Sequence, residues 1–114
     1  MFMGANRMRK EFAIKCDENG ECAVIILPEE VIVANSGEFK KTIQELFNKG
    51  YYRISLDCRN LKMFDTAAVS AVTVFQQKLK EYNGEIKFIN VVHDYMKHYF
   101  RTLELDKIIT IEEA

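Results

Sequence analysis

The sequence predicts an α/β fold, with a mixed central β-sheet, an N-terminal hairpin and helices packed mainly on one face. Strand-like and helix-like segments alternate along the chain, which indicates βαβ crossovers, and these are right-handed in nearly all proteins. The hairpin is predicted by Asn19-Gly20, which lies between two strand-like runs. Each predicted helix carries a single apolar stripe, so part of the sheet or its edge is expected to stay available.

The first half of the chain is expected to form strands at 11–15 and 22–27, a short apolar bridge at 31–33, a helix and a further strand. Pro28 ends the second strand because proline cannot donate to a ladder. The helix starts with Asn35 or Ser36 as its cap and runs to about Lys49. The apolar face of this helix is expected to consist of Phe39, Ile43, Leu46 and Phe47. The inward side of the next strand is expected to consist of Tyr52, Ile54 and Leu56.

The second half is expected to form a helix from about Thr66 to Tyr82, a strand at 85–91, a helix at 94–103 and a last strand at 108–111. Asn83-Gly84 should end the first of these helices. The residues expected to face the core at helical spacing are Ala68, Val72, Phe75, Leu79 and Tyr82 in one helix, and Met96, Tyr99, Phe100 and Leu103 in the other.

Composition favours a single folded domain in the cytoplasm. The chain has 114 residues, of which 48% are hydrophobic and 29% are charged. Its net charge of −1 gives no electrostatic case for binding nucleic acid. No apolar run approaches the roughly 20 residues needed to span a bilayer, so no membrane insertion is expected. Residues 1–10 are interpreted as a flexible leader, and residues 11–114 as the domain.

The cysteine and histidine residues predict neither a disulfide framework nor a metal site. Cys16 and Cys22 flank the hairpin turn and could face each other across it, but small apolar or edge-strand roles are favoured. His93 and His98 are five residues apart and therefore do not share one helical face. No cofactor is predicted.

The segment from Met63 to Val69 is the candidate functional site. It places the carboxylate of Asp65 and the hydroxyl of Thr66 where a helix is expected to begin. A helix N-terminus has about four unpaired N–H groups and roughly half a positive charge, so it attracts acceptors and anions. Two interpretations stay open: a simple cap that stabilises the helix by about 1 kcal/mol, or a regulatory switch.

Three segments resemble the STAS domain family, which includes bacterial anti-sigma factor antagonists and the cytoplasmic tails of sulfate transporters. They are RISLDCRNL at 53–61, FDTAA at 64–68 and LELDKII at 103–109. The second segment occupies the position of the family's Asp-Ser-Ser-Gly switch, and the third resembles its Leu-x-x-Leu-Asp-Lys ending. The resemblance covers about residues 11–114, and the free-standing antagonist type fits better than a transporter tail.

This resemblance implies a regulatory binding protein rather than an enzyme. A dephosphorylated antagonist of this family docks on an anti-sigma factor with a serine kinase-like fold, and phosphorylation of a switch hydroxyl ends the complex. The resemblance places the partner-binding switch at Asp65, Thr66, Ala67, Ala68 and Val69.

Two departures from the family pattern change this expectation. Ala67 stands at the usual phosphate acceptor and has no hydroxyl, so docking without the usual phosphorylation switch is predicted. Thr66 is the remaining candidate for phosphorylation, although one residue at a helix start turns a side chain by about 100°. The family's acidic residue before the first helix falls at Ile32, and Glu30 and Asn35 are candidate contacts.

The sequence gives weaker support to two other classes of function. A helix N-terminus could sense a nucleotide or another anion, but the sequence has no Gly-rich loop. No Ser/His/Asp or Cys/His arrangement is recognisable, so catalysis is not expected. The sequence makes no prediction of the oligomeric state.

Overall fold

A five-stranded mixed sheet forms the centre of the computed structural model, which describes residues 12–113. Its strands lie in the order β1 (Ala13–Cys16), β2 (Cys22–Ile26), β4 (Arg53–Asp57), β6 (Glu85–Val91) and β7 (Thr110–Glu113). The β1–β2 pair is antiparallel and the other pairs are parallel. Two short strands, β3 (Glu30–Val31) and β5 (Met63–Phe64), form a separate parallel pair.

The helices cover one face of this sheet, which confirms the predicted fold class. They are α1 (Ser36–Asn48), α2 (Thr66–Lys80) and α3 (Asp94–Thr102), followed by a 3-10 helix at Leu105–Lys107. Burial alternates along the strands. The paired residues Ile25, Leu56 and Phe88 are fully buried, whereas the next row across the sheet, Val24, Ser55 and Lys87, is only half-buried.

The predicted hairpin is present, but its register separates the two cysteines. The turn closes with a hydrogen bond of 2.8 Å from the Asp17 amide to the Cys22 carbonyl, and Gly20 has a positive φ of 73°. Cys16 pairs with Ala23, so the expectation that it could face Cys22 was wrong. Neighbouring strand residues point to opposite faces, and both cysteines are free and exposed.

Each helix in the structure ends one or two residues before its predicted end. Tyr82 lies beyond α2 and is exposed, with its ring 4.8 Å from Tyr52 and 5.0 Å from Phe47. Leu103 lies beyond α3 and is exposed, so its predicted place in the core was wrong. The 3-10 helix then delays the last strand, which starts at Thr110 instead of residue 108. The predicted leader and the predicted start of the first strand at residue 11 lie outside the described residues.

A close approach between chain segments explains the glycine after α2. A Cβ atom on Gly84 would lie 1.9 Å from the Tyr52 carbonyl oxygen, which also accepts a 2.9 Å hydrogen bond from the Glu85 amide. Only glycine fits at this point, where β4 and β6 begin side by side.

Four phenylalanines connect the sheet to the helices and to β5. Phe64 lies edge-on to Phe39, Phe88 and Phe100 with centroids 6.0, 5.5 and 5.9 Å away, and Phe88 stacks on Phe100 at 4.5 Å. All four are fully buried or nearly so. The residue that precedes Asp65 is therefore fixed in the core. In the described part of the chain, none of the helices is long and apolar enough to cross a membrane.

Candidate functional site at the start of α2

Two chain segments that are far apart in sequence are joined just before α2. Val31 and Phe64 pair in the β3–β5 ladder and are buried. The Glu29 carbonyl accepts hydrogen bonds from Lys62 N at 2.7 Å and Met63 N at 3.1 Å. These bonds fix the backbone that leads into the predicted switch, and sequence periodicity could not reveal two-residue strands.

Asp65 occupies the N-cap position of α2 and uses both carboxylate oxygens. Its Oδ1 accepts a 3.1 Å hydrogen bond from the amide of Ala68, the usual role of a capping side chain. Its Oδ2 accepts a 2.8 Å hydrogen bond from the amide of Val33, which is 32 residues away. The Asp65 amide in turn donates to the Val31 carbonyl at 3.1 Å.

The other predicted switch residues differ in exposure. Thr66 is exposed, Ala67 and Val69 are half-buried, and Ala68 is buried. The exposed side of α2 continues from Thr66 through Ser70 to Val74, at helical spacing. A partner that approaches the start of α2 would therefore meet a hydroxyl at Thr66 and only a methyl group at Ala67.

Two exposed apolar side chains lie beside this turn. Val33, whose amide donates to Asp65, is 74% exposed, and Met63, two residues before Asp65, is 44% exposed. Tyr95 of α3 is 60% exposed, with its ring 6.3 Å from that of Tyr99. We call Val33, Met63 and Thr66 the turn surface.

Tyr99 connects α3 to the turn surface. Burial, followed by the nearby Tyr95 and the Asp65 charge, raises the pKa of the Tyr99 hydroxyl. Sequence analysis placed Tyr99 in the core and did not single out Tyr95. The i, i+4 spacing of the two tyrosines was the signal that could have identified them as a pair.

The candidate contacts lie beside the turn surface, Glu30 in β3 and Asn35 at the end of the loop that follows it. Asn35 Oδ1 accepts from the Ile32 amide at 2.8 Å, and its Nδ2 donates to the Glu30 carbonyl at 2.9 Å. The Glu30 side chain is exposed, and Ile32 is half-buried. An open depression here is lined by Pro28, Glu29, Glu30, Ile32, Ala34 and Asn35. Its two glutamates make it unfavourable for a nucleotide or another anion.

The structure assembles no metal site among residues 12–113, where no group of three or more His, Cys, Asp or Glu side chains could hold an ion. A polar cluster lies at the end of β4, where Arg59 forms a bidentate ion pair with the buried Asp57. Asp106, in the 3-10 helix, is exposed.

Comparison with known proteins agrees with this architecture. The STAS domain family model matches residues 13–114. TM1081 of Thermotoga maritima, a candidate anti-sigma factor antagonist, superposes with a TM-score of 0.76 and 20% identity, over 93% of this chain and 89% of that protein. No curated protein sequence matches.

Three further solved structures share the fold. Unphosphorylated SpoIIAA, an anti-sigma factor antagonist, gives a TM-score of 0.74 at 18% identity over 88% of this chain and 86% of that one. Phosphorylated SpoIIAA of Bacillus gives 0.66 at 19% identity, over 88% of this chain and 89% of that one. A murine anion transporter, Slc26a9, gives 0.54 at 15% identity, over 71% of this chain and 13% of the transporter.

Proposed function

Because the chain belongs to the STAS domain family, we propose that it is a regulatory binding protein of the anti-sigma factor antagonist type. It docks on an anti-sigma factor with a serine kinase-like fold through the start of α2. The observation that supports this proposal is the turn surface, where the exposed apolar side chains of Val33 and Met63 lie beside a helix start that Asp65 caps. Apolar residues that are exposed together favour protein contacts.

The proposed complex lacks the usual release by phosphorylation. Ala67, at the acceptor position, has no oxygen to receive a phosphoryl group. Thr66 is exposed, but it lies one position earlier on the helix and therefore presents its hydroxyl in a different direction. Binding is accordingly expected to persist when the partner has ATP.

A phosphate on this turn would act mainly on the partner. It would add about −1.5 to −2 charges within the contact surface, where it would oppose an apolar partner. Within the chain it would lie at a helix N-terminus, which favours anions. The Asp65 carboxylate already caps the Ala68 amide, so part of that favourable site is occupied.

The Ala67→Ser variant tests the proposal. The parent chain, Ala67→Ser and the double variant Ala67→Ser/Thr66→Val are each incubated with a cognate serine kinase anti-sigma factor and Mg-ATP. Mass spectrometry then locates any phosphate. We expect none at residues 66 and 67 of the parent, and stoichiometric phosphate on the new serine of both variants. Ser70, an exposed hydroxyl one turn along α2, is the internal control and should stay unmodified.

Binding to the same anti-sigma factor is measured before and after the ATP incubation. The parent should bind equally well in both cases, and the two variants should lose binding only after phosphorylation. Stoichiometric phosphate on Thr66 of the parent would contradict the absence of a switch. Failure of the unphosphorylated parent to bind any kinase-type anti-sigma factor would overturn the docking function itself.

A further inference from the structure

We propose that Asp65 is a positioning residue, whose carboxylate holds the loop of residues 32–34 against the start of α2. Val33 and Thr66 then meet a partner as parts of one rigid surface. This inference rests on the proposed docking function for its purpose, while its structural part stands on geometry alone.

The Asp65 carboxylate extends the connection between two segments beyond Val31, where the β3–β5 ladder and the bond from the Asp65 amide to the Val31 carbonyl end. Oδ1 accepts a hydrogen bond from the Ala68 amide inside α2, and Oδ2 accepts one from the Val33 amide at 2.8 Å. A capping residue needs only one oxygen, so the second bond is additional to the cap. Each bond is charge-assisted and therefore stronger than a bond between neutral groups.

The loop itself is closed on its other side by the beginning of α1. The Asn35 amide donates to the Ile32 carbonyl at 3.0 Å, and Ser36 Oγ donates to the Val33 carbonyl at 3.2 Å. These bonds attach the loop to the start of α1, and the Asp65 bond attaches it to the start of α2. The starts of both helices and the loop between β3 and α1 form one unit.

This coupling matters because Val33 is largely exposed. An exposed apolar side chain on a mobile loop must be ordered when a partner binds, and that ordering reduces affinity. A loop that is already fixed avoids this loss. Asp65 would therefore raise affinity without contacting the partner.

The test uses the chemistry of asparagine. Asp65→Asn keeps a good N-cap and one acceptor oxygen, but its amide group cannot accept from a second N–H. Amide hydrogen exchange of the full chain, measured by NMR, should show Val33 exchanging about tenfold faster or more in Asp65→Asn. The Leu56 amide, in the centre of the sheet, reports any global loss of stability and should change little.

Two further variants keep the test decisive. Asp65→Ser retains a capping oxygen on a side chain too short to reach Val33, so it should expose the Val33 amide in the same way if the asparagine variant folds poorly. Asp94→Asn removes the same charge at the start of α3, where the aspartate is fully exposed and pairs with Lys97, and should leave Val33 unchanged. Unchanged exchange at Val33 in both Asp65 variants would overturn the inference.

Affinity separates the two proposals. Titration with a purified anti-sigma factor that binds the parent should show weaker binding, by about tenfold, for Asp65→Asn but not for Asp94→Asn. Val33→Ala should also weaken binding while its amide remains protected, because that change shortens the side chain and keeps the N–H. If no anti-sigma factor binds the parent, the docking function fails, and the exchange of Val33 still decides whether Asp65 holds the loop.

Discussion

Asp57 keeps a negative charge in a nearly dry position at the end of β4. Its side chain is 3% exposed, and Arg59 donates to it through Nη2 at 2.7 Å and through Nε at 3.0 Å. Burial favours the neutral acid, but hydrogen bonds from Arg59 and Asn90 outweigh it and hold the Asp57 pKa below its ordinary value. The ionised form therefore stabilises the folded state.

We expect Asp57→Asn to lower the free energy of unfolding at pH 7 by about 1 to 2 kcal/mol, since Arg59 is partly hydrated and the pair is not fully buried. The Asp57 pKa is lower in the folded state than in the unfolded state, so its contribution is complete above the ordinary value of 3.8. That contribution is lost as the pH falls through the folded pKa. Urea unfolding between pH 7 and pH 2.5 measures this. The difference in unfolding free energy between the parent and Asp57→Asn should become smaller below about pH 4.

The exposed carboxylate of Asp106 supplies the matched control. Asp106→Asn should cost less than 0.5 kcal/mol at pH 7, within the usual range of about ±0.5 kcal/mol for surface substitutions. If the difference in unfolding free energy between the parent and Asp57→Asn stays constant down to pH 2.5, the ionised pair contributes nothing to stability.

Local chemistry could be predicted at the scale of single residues, and long-range partners could not. A carboxylate followed by a hydroxyl and an apolar run predicts a helix start, and Asp65 and Thr66 lie at that start. The second bond of Asp65 depends on Val33 arriving from 32 residues earlier, which no local pattern encodes.

At the scale of the secondary-structure elements, Gln76 joins α2 to two other segments. It is 2% exposed within the apolar face of the helix. Its Oε1 accepts from the Ile86 amide at 2.7 Å, and its Nε2 donates to the Ile108 carbonyl at 3.1 Å. One side chain thereby satisfies backbone groups at the start of β6 and in the turn before β7.

Gln76→Leu should lower the free energy of unfolding by about 2 to 4 kcal/mol. The substitution has a similar volume but leaves a buried N–H and a C=O without this partner, at about 1 to 3 kcal/mol each. Urea unfolding measures the loss. Gln77→Leu, at the exposed neighbouring position of the same helix, should change stability by less than about 0.5 kcal/mol. Equal stabilities for the two variants would contradict this role of Gln76.

Long periodic elements were predicted well, and short or irregular ones were not. The prediction of a strand at residues 85–91 matches β6, in which burial alternates over the first five residues. The β3–β5 pair has two residues in each strand, too few for any period. The last strand was shifted by the 3-10 helix, which follows a left-handed residue, Glu104 with a φ of 59°.

At the scale of the whole molecule, the order of the strands explains why the candidate site is a helix start and not a central cleft. From β2 to β7, each parallel strand is added on the same side of the preceding one, and the helices cover one face. Ligand crevices in open α/β sheets form where the strand order reverses. The described sheet has no such reversal, and the candidate site lies at the start of α2 instead.

The folded molecule should protect one of its three cysteines and leave two reactive. Cys16 and Cys22 are exposed at the hairpin, whereas Cys58 is buried, with Sγ 3.4 Å from the Leu56 carbonyl. Burial also raises the pKa of the Cys58 thiol, so the reactive thiolate is scarce in the folded state. With a chromogenic disulfide reagent at pH 8, we expect two thiols to react at once and the third on the order of a thousandfold more slowly.

This slow phase should report global unfolding, because Cys58 lies in the same buried cluster as the central strands. Gln76→Leu should accelerate it by the factor that corresponds to its loss of stability in urea, about tenfold for each 1.4 kcal/mol. Cys58→Ala should abolish the slow phase, and Cys16→Ser should remove one fast equivalent. Cys58 could instead react as fast as the hairpin thiols, or at a rate that Gln76→Leu does not change. Either result would show that a local opening at the end of β4 exposes Cys58 and that the sheet does not unfold as one cooperative unit.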